Sequence, residues 1–321
     1  MKVGVIGIAH MHVVSYIHCF RELGVEISGA YDEEAMRLKD FCNEYQLSAF
    51  TDLDAFLELD FDTVLICSEN ARHHKQTLAA AKSGKHVIVE KPMALTVAEA
   101  DEMIQACAEA NVKLMVAHPV RYAKTMQTLK EQVEKGNIGN LVGINTTNHG
   151  KNPGGWFTQP ELSGGGALID HTIHMADLVN WMFEPEIESV HAISAHRNPD
   201  CEVEDNGLLH VRFTNGVFMS LDTSWNRPAS YPVWGDASLA LLTDKGFIHA
   251  DGFGRKGITY TEDQLKFHAY EQSMDMGMVK AFKEAIEQDL PSPVPGEAGR
   301  FTVLLVEMAY ESVAKNDVVT I

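Results

Sequence analysis

Lys2-Val3-Gly4-Val5-Ile6-Gly7-Ile8-Ala9-His10-Met11-His12-Val13 opens the chain as a short apolar strand running into a glycine and then a helical pattern. Val25 to Tyr31 supplies a second apolar strand, closed by Asp32. Strand, glycine turn, helix, strand and terminal acid is the order of a dinucleotide-binding unit. The helix N-terminus would turn free N–H groups and a partial positive charge towards a pyrophosphate. Asp32 would accept hydrogen bonds from the adenosine ribose hydroxyls and repel a 2′-phosphate, which favours NAD over NADP. In the fingerprint G-x-G-x-x-G/A, Gly7, Ala9 and His12 fill the three positions. Two other readings share this stretch: a glycine turn in an ordinary βαβ unit, or a metal-binding pair made by His10 and His12. The metal pair would need further ligands at other strand ends. It would also leave Lys91 and Gly164-Gly165-Gly166 unexplained, so the expected site contains no metal.

Working outward, the first third alternates strand and helix. Asp62 to Cys67 is a strand ending in Ser68-Glu69-Asn70, and Arg72 to Ser83 is helical up to Gly84. His86 to Val89 is a strand leading into Glu90-Lys91-Pro92, and Lys113 to Ala117 is another. Continuous apolar strands separated by helices indicate a doubly wound parallel sheet covered on both faces. After about residue 120 the pattern changes to alternating runs: Leu141 to Asn148, Glu188 to Ser194, Gly207 to Thr214, Val217 to Thr223, Ala237 to Leu242 and Gly246 to Ala250. Asn215-Gly216 between two of them is a strong hairpin signal. The expected architecture is therefore an α/β dinucleotide-binding domain over 1–120. An α+β domain with a large, mostly antiparallel open sheet is expected over 121–321. Late helices are expected at Met274 to Gln288 and Phe301 to Ala314, with the last ones able to return to the first domain.

Composition narrows the function classes. The 321 residues carry 26 basic and 45 acidic side chains, a formal net charge of −19. That excess opposes binding to nucleic acid or to an anionic membrane. Met1 leads directly into strand residues, so no signal peptide is expected. The five cysteines are scattered without CxxC spacing and suit a reducing cytoplasm. Alternating apolar residues Val211, Phe213, Val217, Met219 and Leu221 are expected on the open face of the second sheet. Burial of that face would make a homodimer or homotetramer.

Three residues carry the expected chemistry. Lys91 sits just past the end of a buried strand, where open α/β sheets bind ligands. Asp170 and His174 are four apart, on one face of a helix following the Gly164–Gly166 run. Together they could move a proton on and off an alcohol, with the matching hydride passing to a nicotinamide. Neutral His174, with an ordinary pKa near ~6.5, suits the base. Lys91 could hydrogen-bond the substrate oxygen and stabilise alkoxide charge. Asp170 could orient the imidazole or bind a neighbouring hydroxyl. Asp177 extends the same helix face and reads as structural.

These stretches, in this order and spacing, resemble the Gfo/Idh/MocA family of oxidoreductases. The match runs through Val3 to His12, Ile66 to Asn70 with His73, Gly84 to Ala94 around Glu90-Lys91-Pro92, Arg121-Tyr122, Gly136 to Gly139, Trp156, and Leu162 to His174. The resemblance implies a Rossmann domain joined to an α/β domain whose open sheet forms the oligomer interface. It implies Lys91, Asp170 and His174 as the catalytic set. The expected cofactor contacts are Gly7, Ala9, His10, Met11, Asp32, Ser68, Asn70, His73, Glu90 and Lys91. Arg121, Trp156 and His171 are expected on the substrate side. His171 stands where a small or aliphatic residue is more usual. The implied activity is NAD-dependent oxidation of a secondary alcohol of a sugar, inositol or related polyol. The alternatives are an NAD-cycling enzyme that cleaves glycosides or epimerises, and a non-catalytic NAD- or sugar-sensing regulator.

Overall fold

The computed structural model describes residues 1–199, 201–253 and 273–321, together with the backbone of 257–260 and 265–268. Strands β1 (Lys2–Ile6), β2 (Glu26–Tyr31), β3 (Ala49–Phe50), β4 (Thr63–Ile66), β5 (His86–Glu90) and β6 (Leu114–Ala117) form one sheet in the order β3-β2-β1-β4-β5-β6. Every pairing in it is parallel. The order reverses between β1 and β4, which opens a crevice at their C-terminal ends. Helices α1 (His12–Glu22), α2 (Ala35–Tyr45), α3 (Leu53–Leu57), α4 (His73–Lys82) and α5 (Val97–Glu109) make the crossovers. Val5, Ile66 and Val89 in adjacent strands have no exposed surface, as expected of a sheet covered on both faces. The two-residue β3 is too short to leave a periodic signal in the sequence.

After α6 (Lys124–Glu134) comes a seven-stranded sheet. Its members are β7 (Leu141–His149), β8 (Ile187–Ala195), β9 (Asn206–Phe213), β10 (Phe218–Ser224), β11 (Ser238–Thr243), β12 (Gly246–Asp251) and the late β15 (Val319–Thr320). The order is β12-β11-β7-β10-β9-β8-β15. It is antiparallel except for the β7–β10 pair. Asn215-Gly216 turns β9 into β10, with Phe213 N–H donating to Val217 O at 2.9 Å. A separate hairpin pairs β13 (Gly257–Tyr260) with β14 (Leu265–His268).

One face of the large sheet is covered by α8 (Ala167–Phe183) and α10 (Gly296–Lys315); the short α7 (Pro160–Ser163) precedes α8. Here the structure corrects an expectation. Val211, Phe213, Val217, Met219 and Leu221 point into this helix-covered core, where all are buried. The alternation marks the core face because two long helices supply the cover. The open face instead carries an apolar row across four strands: Phe218 is in register with Gly143, Gly143 with Leu242, and Leu242 with Phe247. Phe218 is 54% and Phe247 66% exposed.

The chain end serves both sheets. Met278, Val279 and Phe282 of α9 (Met274–Glu287), with Val294 and Ala298, complete the core of the parallel sheet. Further along α10, Leu305, Val306 and Ala309 belong to the core of the second sheet. Helix α10 starts at Gly296, directly after Pro295 and five residues before its apolar periodicity becomes visible at Phe301.

Candidate active site

A cavity of about 320 Å³ opens where the C-terminal ends of β1 and β5 face α8. Lys91, Asp170, His171 and His174 line it, with His10, Met11 and His12 on the other side. Lys91 reaches it by following β5; the Lys91–Pro92 peptide is cis. Asp170 reaches it through the placement of α8. Gly166 and Leu168 N–H groups donate to Glu204 Oε1 at 2.9 and 3.0 Å, so a carboxylate from another part of the chain caps the helix. A Cβ on Gly166 would run into the Glu204 carbonyl, which explains the last glycine of the run.

Lys91 Nζ donates to Asp170 Oδ1 at 2.6 Å, with Lys91 4% and Asp170 9% exposed. Trp225 Nε1 donates to Asp170 Oδ2 at 3.0 Å. Burial alone would raise the Asp170 pKa. The Lys91 ammonium and His171 outweigh it and hold the carboxyl well below its usual range. The carboxyl is therefore ionised, and Asp170 positions Lys91. Asp170 was also expected to have the option of orienting His174. Both its oxygens are instead engaged elsewhere, and His174 Nδ1 is buried with no hydrogen-bond partner. Burial, followed by Lys91, pushes His174 well below its ordinary pKa, so the ring is neutral and able to accept a proton. His171 Nδ1 lies 2.8 Å from Asn148 O, and Nε2 lies 3.4 Å from Asp170 Oδ2. Burial also lowers the His171 pKa.

Around the first sheet, Gly7 has φ +77, and a Cβ there would strike the Ser68 backbone. Helix α1 follows; its N-cap Met11 supplies no side-chain acceptor, the His12 N–H donates to His10 Nδ1 at 3.2 Å, and the positive end of the helix dipole faces the turn. Asp32 Oδ2 accepts from Ile8 N–H at 2.9 Å, while Oδ1 accepts from Glu34 N–H and from Arg37 Nε and Nη2. The carboxylate is thus shared before any ribose arrives, with Oδ2 keeping spare acceptor capacity. Arg37 also donates to Glu69 Oε1 at 3.1 Å. Ser68 Oγ donates to Gln76 Oε1. His73 is held between Pro92 O and Ser68 O at 2.7 and 3.2 Å, a positioning role for the loops around Lys91. Asn70 donates to Ser163 O, and its Oδ1 is buried without a partner. Glu90 is taken up by His12 Nδ1 at 3.0 Å and by the Lys91 N–H.

Two residues expected at the substrate lie elsewhere. Arg121 forms a buried bidentate pair with Asp177 and lines a different cavity. Trp156 donates from Nε1 to Ala9 O at 3.1 Å and stacks on Phe157, and it is Phe157 that lines the site. Sequence reasoning missed Trp225, Phe157, Asn148 and Asp275. Trp225 reaches Asp170 across 55 residues of chain, so no local spacing marks it.

The description "Oxidoreductase family, NAD-binding Rossmann fold" matches residues 1–118, and "GFO/IDH/MocA C-terminal domain" matches residues 126–249. The chain belongs to the Gfo/Idh/MocA family of oxidoreductases. Like other family members it carries an NAD-binding Rossmann unit. The tight Gly7 turn, the positive end of α1 beside it, the spare capacity of Asp32 Oδ2 and the orphaned Asn70 Oδ1 suit a dinucleotide. Among family relatives, a myo-inositol 2-dehydrogenase of Thermotoga maritima is 27% identical, over 97% of this chain and 96% of the relative. A D-glucoside 3-dehydrogenase of Escherichia coli is 31% identical over 70% of each chain. The fold matches a scyllo-inositol dehydrogenase from Lactobacillus casei, solved with NAD(H) and scyllo-inositol, at TM-score 0.85 and 21% identity, over 100% and 98% of the chains. Among the described residues no helix is long and apolar enough to cross a membrane.

Proposed function

We propose that this enzyme oxidises a secondary alcohol of a sugar, inositol or related polyol with NAD, using Lys91, Asp170 and His174. The observation that carries the reading is the buried Lys91–Asp170 pair, in one cavity with neutral His174, at the crevice of an NAD-binding sheet. Bound nicotinamide supplies the hydride acceptor. The protein supplies the rest. Lys91 donates a hydrogen bond to the reacting hydroxyl and stabilises its developing negative charge. His174 takes the hydroxyl proton. Asp170 holds the ammonium in place, and Trp225 fixes Asp170 in turn. His171 contacts a neighbouring substrate hydroxyl through Nε2. Gly7, Ala9, Met11, Asp32 and Asn70 hold the cofactor.

The same reading has NAD preferred over NADP. Asp32 and Glu69 carboxylates flank Arg37, so this cation beside Asp32 is already paired and the Asp32 charge opposes a 2′-phosphate. The exposed apolar row on the second sheet supports a homo-oligomer, and the scattered reduced cysteines support a cytoplasmic setting. The test is a screen for NAD+ reduction over inositols, aldoses, uronates and amino sugars. Turnover of one of these classes is expected. Absence of NAD+ binding in a fluorescence titration would sink the reading.

A further inference from the structure

Two histidines and a glutamate in the same cleft have no part in the proton transfer assigned to Lys91 and His174. His10 and His12 stand where β1 passes into α1, and Glu90 ends β5. The parallel order β1-β4-β5 brings both strand ends to one side of the crevice. One ring nitrogen from each histidine and one Glu90 oxygen lie within 4.8 Å of one another. His12 Nδ1 is 3.0 Å and His10 Nδ1 is 3.8 Å from Glu90 Oε1. Donors bound at ~2.0–2.2 Å to a tetrahedral ion stand about 3.4 Å apart. The His12–Glu90 separation lies within a few tenths of an ångström of that value, the His10 ring lies beside the same oxygen, and the three donors stand within 4.8 Å of one another.

A second observation concerns His10. Its ring is 1% exposed, its Nδ1 accepts the His12 N–H at 3.2 Å, and its Nε2 is buried with no partner. A fully buried ring with an unused nitrogen is an unsatisfied polar group in the protein alone. Ligation through Nε2 would give that nitrogen a partner and leave Nδ1 on the His12 N–H. Two imidazoles and a carboxylate are a donor set for zinc-like ions and a poor one for magnesium or calcium, which want oxygen shells.

We propose that His10, His12 and Glu90 bind one divalent transition-metal ion of the zinc class, with a fourth position open to the cavity. His10 and His12 line that cavity together with Lys91. Three protein ligands and one open position are the pattern of a reactive rather than a structural zinc site. The open position takes an oxygen ligand, either water or a hydroxyl of the substrate. This makes the His-x-His pair at the first strand compatible with a dehydrogenase cleft, because Glu90 at the end of β5 supplies the missing third ligand.

The test is equilibrium dialysis of the metal-free full chain against Zn2+, with Co2+ as a visible-absorption probe of the ligand field. One ion per chain is expected, with tetrahedral Co2+ bands. His10→Ala and His12→Ala should each weaken Zn2+ binding about tenfold or more. His191→Ala and His210→Ala, on the open sheet face, should leave it unchanged, which separates this site from adventitious binding by the chain's 15 histidines. Glu90→Gln should behave like the histidine variants if circular dichroism shows it folded; if it does not fold, the two histidine variants decide. No stoichiometric Zn2+, or undiminished binding in both histidine variants, overturns the proposal. NAD+ titration of the same metal-free sample reports separately on the dehydrogenase reading.

Discussion

Lys91 and His174 are where a single substitution speaks most directly. Lys91→Ala and His174→Ala should each lower kcat by about 10²–10⁴-fold, with a much smaller effect on NAD+ affinity; near-normal turnover in Lys91→Ala would refute the assignment. Burial and the nearby Lys91 ammonium lower the His174 pKa. Proton-accepting His174 therefore persists through pH ~6.5 and is lost only well below it. The acid limb of kcat/KM should accordingly lie below that pH, and a limb at or above it would point to another base. Asp170→Asn should hurt through Lys91 positioning. Its depressed pKa also ties it to stability: the contribution is present above its unfolded value of about 3.9 and lost as pH falls further. Asp32→Ser would remove one of the two carboxylates that hold Arg37 and the charge that repels a 2′-phosphate, so NADPH affinity should rise about tenfold in a fluorescence titration, the scale of one charge-assisted hydrogen bond. Lys91, just past the end of β5, and Asp170 and His174, four apart on one face of α8, were legible because those positions follow from local pattern. Arg37 and Trp225 were not, since their importance depends on which side chain they meet. The sequence-based base, with its ordinary pKa, ignored the burial that only the folded cavity supplies.

At the scale of elements, the buried Arg121–Asp177 pair joins the segment after β6 to α8. Arg121→Met leaves Asp177 as an uncompensated buried charge. It should cost about 3–5 kcal/mol of stability in urea unfolding, while turnover of the folded fraction stays near normal. A specific loss of substrate affinity would instead restore Arg121 to the substrate side. The strands of both sheets, except the two-residue β3 and β15, were legible to within a residue or two, because continuous apolar runs, period-2 alternation and the Asn215-Gly216 turn are local signals. Which face each strand buries was not. Alternation defines two faces without saying where α8 and α10 will lie, and that assignment placed Val211 to Leu221 on the wrong side. The start of α10 was hidden for a related reason: Gly296 to Arg300 pack against α5 and β6 through small residues rather than through an apolar stripe.

For the whole molecule, the row Phe218, Gly143, Leu242 and Phe247 is a flat apolar strip on a sheet face that no helix of the described residues covers. Phe218→Asp should convert a homodimer or homotetramer to a smaller species in sedimentation at micromolar concentration; a wild-type monomer would remove the need for that interface. The return of α9 and of the start of α10 to the first sheet has another consequence, which concerns the order in which the molecule can be made. Met278, Val279, Phe282 and Val294 belong to a core whose strands are all complete by Ala117. During synthesis, the nucleotide-binding half must wait with an uncovered flank until more than half of the remaining chain has left the ribosome. A polypeptide ending at residue 120 should accordingly be expanded and readily digested by protease, and adding a peptide spanning 273–306 should protect it.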